Sequence, residues 1–136
     1  MLKFKTGKVF TVDASHIAIE EMGHVERCAE RILFLGGDVE MAAAHEVEKI
    51  HDVKQMLEKA RAMEEESAKD YNLWANECSA NADAGTRKIF EDLVADEERH
   101  YDQYDNEVEN IEKYGERYLA LQSIEGSRST VSGSEE

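Results

Sequence analysis

The sequence contains no proline, so the residue that most often interrupts a helix is absent. It has only two cysteines, Cys28 and Cys78, which match neither the spacing of zinc ligands nor a disulfide framework. We therefore expect a reducing, cytoplasmic environment. The first fifteen residues lack the apolar stretch of a signal peptide, and no later segment is apolar over the length needed to span a membrane.

Basic residues are also scarce. The chain has 16 lysines and arginines against 31 aspartates and glutamates, which gives a formal net charge of −15. This balance argues against nucleic acid as a partner, because a nucleic-acid surface would repel the protein. The acidic excess would attract metal cations, although a well-solvated helical surface explains the composition equally well. The length of 136 residues suits one domain, or part of one.

Three long segments carry apolar residues at helical spacing. The first predicted helix begins at Asp13 or Ser15 and ends at Gly36, the second covers about 52–81, and the third covers about 84–114. Each has an apolar stripe that needs a partner. The sequence therefore predicts an all-α fold, an incomplete four-helix bundle of three long helices.

The remaining segments are shorter or more polar. Residues 118–124 suit a short C-terminal helix, and the small polar residues 126–136 are predicted to form a disordered tail. Residues 38–51 form a long connection of the kind that crosses the length of a bundle between parallel neighbours. The predicted domain accordingly covers residues 1–125.

Two Glu-x-x-His pairs lie on the predicted helices, Glu21 with His24 and Glu97 with His100. Residues three apart share one face of a helix, so each pair can bind a single cation. On an acidic helix, such a pair is more often solvated than metal-binding. A third pair, which ends at His51, falls at a boundary between loop and helix without an apolar stripe, and we interpret it as solvated.

Placement favours a metal site over solvated charge. Glu97 and His100 lie inside the apolar stripe of the third helix, and Glu64 interrupts the stripe of the second. A bare buried carboxylate costs several kcal/mol, and a bound cation removes that penalty. A mixed set of carboxylate and imidazole ligands suits iron or manganese better than zinc in a closed sulfur site.

Several segments carry a family resemblance. The phrases HIAIEEMGHVER and RILFLGG, the run EEESAK that begins at Glu64, and the run LVADEERH that ends at His100 are similar to helical segments of the bacterioferritins. The resemblance covers about residues 16–125. It implies a ferritin-like helical bundle of the di-iron superfamily.

The resemblance also implies roles for individual residues. Glu21 and Glu97 would bridge two irons, His24 would bind one of them, and Glu64 with His100 would bind the other. Met22 would be the axial ligand of haem b at a two-fold axis between subunits. His16 corresponds to an inner-surface position associated with iron passage, where Glu20 would assist.

The implied function is iron storage and detoxification. A ferroxidase centre would oxidise Fe(II) to Fe(III) for a mineral held inside an oligomeric cage, formed by copies of this chain or mixed with full-length subunits. One alternative is a non-catalytic structural or haem-carrying subunit that supplies Met22 and no competent iron centre. Another is a helical interaction protein without metal, which the buried placement of Glu64 disfavours.

The chain departs from the family pattern at its beginning. Bacterioferritins start with a long helix that supplies another glutamate to the iron centre, whereas this sequence starts where that helix would end. Five of the six protein ligands are then present, and one side of the bundle is open. A start at an internal methionine, a genuine remnant that joins full-length subunits, and a gap filled by a neighbouring chain are the alternatives, and we favour the first. If that side stays open, we expect slowed iron oxidation.

Overall fold

The computed structural model describes residues 10–43 and 46–132, with side chains over 16–43 and 46–128. The described residues form four helices and no strand. They are α1 (Phe10–Phe34), α2 (Val53–Ala80), α3 (Ala84–Tyr114) and α4 (Glu116–Ser132). The predicted all-α fold is confirmed. None of these helices is long and apolar enough to cross a membrane.

Capping residues set the ends of the two longest helices. The Asp52 carboxylate accepts a hydrogen bond from the Gln55 backbone N–H at 2.9 Å, which satisfies a free donor at the start of α2. Asp83 caps α3 in the same way through Thr86, at 3.0 Å. At the other end of α3, Gly115 has a φ of 60° that favours glycine. The predicted bounds of both helices agree with the structure to within one residue.

Two predicted boundaries need correction. Helix α1 begins at Phe10 rather than at Asp13 or Ser15, because no proline or glycine separates these residues from the helix. Helix α4 runs to Ser132, so residues 126–132 are helical and the prediction of disorder there is wrong. Small polar residues are moderate helix formers, and a glycine inside a helix costs only about 1 kcal/mol, so Gly126 does not end α4. Residues 1–9 of the predicted domain and 133–136 of the predicted tail lie outside the described residues.

Helix α3 is the centre of the fold. It packs along most of α2, while α1 and α4 contact it over shorter stretches. Among the side chains that the structure describes, few apolar ones are buried, and they are Ile17, Met56, Leu57, Ala75, Leu93 and Val108. Four polar side chains of the same part of the chain are equally buried, namely His24, Glu64, Glu97 and His100. The middle of the bundle is therefore polar, which an ordinary hydrophobic core is not.

Ion pairs fix α1 against α3. The Arg31 guanidinium donates to Asp83 Oδ1 and to Thr86 Oγ1, both at 2.8 Å, so it binds the N-terminal cap of α3. Gly85 leaves room for this group, since a Cβ there would lie 2.7 Å from Arg31 Nη2. One turn earlier on α1, Arg27 donates to Asp92 at 3.0 Å. These contacts join the C-terminal half of α1 to the N-terminal half of α3.

Candidate metal centre

The five predicted ligands lie together, and they come from three helices. Helix α1 supplies Glu21 and His24, α2 supplies Glu64, and α3 supplies Glu97 and His100. Of these, Glu21, Glu64, Glu97 and His100 each offer one ligand atom, and the four atoms lie within 4.8 Å of one another. His24 Nδ1 completes the cluster at 3.1 Å from Glu97 Oε1. We call these five residues the central cluster.

Two glutamates each face both histidines. Glu21 places Oε2 3.3 Å from His24 Nδ1 and Oε1 3.0 Å from His100 Nδ1. Glu97 places Oε1 3.1 Å from His24 Nδ1 and Oε2 3.9 Å from His100 Nδ1. Glu64 differs, because His100 is the one histidine that it contacts, at 3.7 Å between Oε2 and Nδ1. The two rings lie nearly parallel, with centroids 6.0 Å apart.

Several polar atoms of the central cluster have no hydrogen-bond partner. Among the described residues, the buried unpartnered side-chain atoms are Glu21 Oε1, His24 Nδ1, both carboxylate oxygens of Glu97, and His100 Nδ1. All five belong to the central cluster. Leaving a buried polar atom unsatisfied costs about 1–3 kcal/mol. Cations placed among these atoms would satisfy all of them, and the oxygen and nitrogen donors suit iron or manganese.

Burial is uneven across the central cluster. The side chains of Glu97 and His100 are 1% and 0% exposed, whereas that of Glu21 is 40% exposed. Electrostatic interactions are therefore strongest on the α3 side, where water is excluded. Glu21 gives the cluster its contact with solvent.

The acid groups titrate at unusually high pH. Burial, followed by the neighbouring Glu64 carboxyl, raises the pKa of Glu97 to about 8. Burial followed by the charge of Glu97 raises the pKa of Glu21, and burial raises the pKa of Glu64. Without a cation the cluster therefore retains protons that its carboxylates would otherwise lose. A metal must displace those protons, so its affinity should rise with pH.

The outer nitrogens of both histidines bind carboxylates. His100 Nε2 lies 2.7 Å from Glu20 Oε2, and His24 Nε2 lies 3.1 Å from Asp96 Oδ2. An ionised carboxylate only accepts hydrogen bonds, so each Nε2 carries the proton and each Nδ1 is left free for a cation. The hydrogen bond from His100, followed by that from Arg99, lowers the pKa of Glu20 to about 2. Glu20 therefore stays ionised.

Aromatic side chains lie between α2 and α3 beside the central cluster. Tyr71 stacks on Phe90 with ring centroids 5.9 Å apart, and it meets Trp74 edge-on at 5.6 Å. Burial, with the charge of Glu97, raises the pKa of the Tyr71 phenol, so this group stays neutral. Burial likewise raises the pKa of Tyr104 to about 12.

The remaining sequence-predicted residues lie outside the central cluster. Met22 is 72% exposed on α1, next to the exposed Ile19. His16 lies 3.6 Å from Glu20, which in turn contacts His100, so His16 is linked to His100 only through Glu20. Asp96 and Arg99 also contact the histidines or their partners, and the sequence did not predict them as site residues. In the sequence, these two residues are marked only by their opposite charges, which lie three residues apart, on either side of the predicted ligand Glu97.

Comparison with known proteins gives a consistent result. The chain matches the ferritin family model, described as a ferritin-like domain, over residues 14–114. The bacterioferritin of Desulfovibrio desulfuricans is 32% identical over 104 residues, which cover 76% of this chain and 58% of that protein. The bacterioferritin of Rhodobacter capsulatus is 31% identical over 104 residues, which cover 76% and 65%.

A solved structure is similar as well. The X-ray structure of the D. desulfuricans bacterioferritin, which concerns its diiron site in different catalytic states, matches with a TM-score of 0.77 and 31% identity. The match covers 79% of this chain and 63% of that one. The predicted resemblance to the bacterioferritins is confirmed. The chain spans less than two thirds of the length of these relatives.

Proposed function

Because the chain belongs to the ferritin-like family, we propose that it is an iron-storage and detoxification subunit and that its central cluster is a ferroxidase centre. One observation supports this most strongly. Five buried donor atoms from α1 and α3 converge without hydrogen-bond partners, in a donor set that suits iron. The similarity to a bacterioferritin with a diiron site supports the same proposal.

The contacts favour a definite division of roles. Glu21 and Glu97 each face both histidines with separate oxygens, as bridging ligands of two cations would. His24 would then bind one Fe(II) through Nδ1. His100 would bind the other through Nδ1, together with Glu64, whose Oε2 lies 3.7 Å away.

Iron is the substrate of the proposed reaction. Two Fe(II) ions give one electron each to dioxygen, which takes up two protons and becomes hydrogen peroxide. Peroxide serves as the alternative oxidant, since it accepts two electrons and two protons and gives water. Three carboxylates in a largely buried site stabilise Fe(III) more than Fe(II), because the added positive charge interacts more strongly with them.

The proposed storage of iron requires more than one chain. We propose that Fe(III) leaves the cluster for a mineral inside an oligomeric cage, built from copies of this chain or mixed with full-length subunits. Exposed apolar side chains on α1, such as Ile19 and Leu33, supply surface for packing between subunits. The net charge of −15 would concentrate cations near the protein. The two free cysteines suit a cytoplasmic location.

Stopped-flow measurement of Fe(II) oxidation by dioxygen tests the proposed activity. We expect oxidation faster than in protein-free buffer, with about two Fe(II) per chain in the fast phase. The variant Glu97→Ala should lose the fast phase, because both cations lose a ligand. Glu98→Ala is the matched control, since Glu98 is the exposed neighbour on the same helix. Equal rates for wild type and Glu97→Ala would refute the proposal.

A second candidate function is that of a non-catalytic, haem-carrying subunit. The observation in its favour is Met22, whose thioether is exposed beside apolar side chains on α1. Two copies that face each other across a two-fold axis would present one Met22 thioether from each side, and this pair would hold haem b. This candidate predicts haem absorbance without rapid iron oxidation.

A further inference from the structure

One arginine contacts both of the acids that orient the histidines. Arg99 Nη1 and Nη2 donate to the two oxygens of Glu20, at 3.2 and 3.1 Å, and Nη2 also donates to Asp96 Oδ1 at 3.1 Å. The contact with Glu20 is a two-bond pair, the geometry in which a planar guanidinium binds carboxylates best. Arg99 thus fixes two carboxylates at once, one on α1 and one on α3.

These hydrogen bonds form a continuous chain around the outside of the central cluster. Glu20 Oε2 accepts from His100 Nε2 at 2.7 Å, and Asp96 Oδ2 accepts from His24 Nε2 at 3.1 Å. The order is His24, Asp96, Arg99, Glu20, His100. Each imidazole is therefore held on its outer side by an acid, and both acids are held by the same guanidinium.

We propose that Arg99 is a positioning residue that holds the imidazoles of His24 and His100 with their Nδ1 atoms directed at the two cation positions. This inference rests on the proposed function, because it assigns the histidines to cations. The acids are partly exposed, with Glu20 at 28% and Asp96 at 35%. Without Arg99 they can turn toward water, and the rings then lose the hydrogen bonds that set their orientation.

Electrostatics alone predicts the opposite change in cation affinity when Arg99 is replaced, so the two explanations can be distinguished. Removing a positive charge near a cation site favours cation binding, so charge alone predicts tighter binding when Arg99 is replaced by alanine. Loss of positioning predicts weaker binding. Replacing Arg99 should change the free energy of unfolding little, because exposed ion pairs contribute little to stability. A loss of cation affinity would therefore not result from unfolding.

Arg27, on α1, provides a matched control for Arg99, on α3. Its side chain is 40% exposed against 42% for Arg99, and it also joins α1 to α3, through Asp92 at 3.0 Å. The structure records no contact between Arg27 and either histidine. Arg27→Ala therefore removes the same charge and a comparable interhelical pair, and leaves the outer side of the central cluster intact.

Titration of the metal-free protein with Co(II), followed by visible absorption, tests the inference. We expect Arg99→Ala to bind Co(II) about 3- to 10-fold more weakly than wild type with an altered spectrum, a smaller loss than direct removal of an outer-sphere partner causes. Arg27→Ala should bind at least as tightly as wild type. Arg99→Lys should bind as weakly as Arg99→Ala, because an ammonium keeps the charge but cannot hold two carboxylates in a fork.

The possible results separate the inference from the proposed function. If wild type and Arg99→Ala bind Co(II) with equal affinity and spectra, the inference is overturned and the proposed metal centre stands. Restoration of wild-type affinity by Arg99→Lys, or an equal loss in Arg27→Ala, would also overturn it. If wild type itself binds no Co(II), the proposed function fails, and the inference fails with it.

Discussion

Replacing Glu97 with glutamine should affect the metal-free and the metal-loaded protein in opposite directions. The Glu97 side chain is 1% exposed, and burial with the nearby Glu64 raises its pKa from 4.5 to about 8. Folding therefore favours the protonated carboxyl. The resulting loss of stability is absent below pH 4.5, grows as the pH rises from 4.5 to about 8, and is constant above that value.

The size of this effect follows from the pKa. One pKa unit corresponds to about 1.4 kcal/mol, so at pH 7 the buried carboxyl of Glu97 lowers the free energy of unfolding by about 3 kcal/mol. Glutamine has nearly the same shape and no charge. We expect metal-free Glu97→Gln to be more stable than wild type by up to about 3 kcal/mol at pH 7, with a Tm about 10 °C higher. Near pH 4 the difference should vanish.

We expect bound metal to reverse this difference in stability between Glu97→Gln and wild type. Glutamine offers one oxygen where the carboxylate offers two, so it cannot bridge two cations, and the stabilisation from binding should fall. Thermal unfolding followed by circular dichroism, with chelator or with Co(II), measures both effects between pH 4 and 8. Glu98→Gln on the exposed side of α3 is the control, and its Tm should match that of wild type. The reasoning fails if metal-free Glu97→Gln is less stable than wild type at pH 7, or if Co(II) stabilises both equally.

Two further predictions concern α1. The haem-carrying candidate predicts that Met22→Leu abolishes haem absorbance after reconstitution with haem, and haem absorbance that survives would exclude the thioether as a ligand. The same variant should leave iron oxidation unchanged, because Met22 lies outside the central cluster. Arg31→Ala should lower the free energy of unfolding by about 1 kcal/mol in urea denaturation, since it removes hydrogen bonds to Asp83 and Thr86. Lys69→Ala, which removes only an exposed pair within α2, should change it by less than about 0.5 kcal/mol, and equal effects would contradict the role given to Arg31.

Most of the fold could be predicted because its boundaries are encoded locally. Asp52 and Asp83 cap helices through their own side chains, and Gly115 ends α3 with a positive φ. The extent of α4 could not be predicted in this way. Its last residues are mostly small and polar, so no apolar stripe continues through them, and Gly126 predicts an earlier end.

The central cluster could be predicted from helical periodicity, and its outer shell could not. A glutamate in an apolar stripe, such as Glu64 or Glu97, signals a special position from the sequence alone. The partners of the histidines depend instead on how α1 and α3 pack, since Glu20 and His100 are 80 residues apart in the chain. No pattern within one helix contains that pairing. The assignment of the five residues as iron ligands stays a prediction.

The most direct test of the central claim is a crystal structure of the protein soaked anaerobically with Fe(II), with anomalous scattering recorded at the iron edge. The claim is that buried glutamates from separate helices are tolerated because two cations neutralise them. It predicts two anomalous peaks, both bridged by Glu21 and Glu97, with one beside His24 Nδ1 and the other beside His100 Nδ1. Absence of iron from this position, with Glu21 and Glu64 turned into solvent, would contradict the claim.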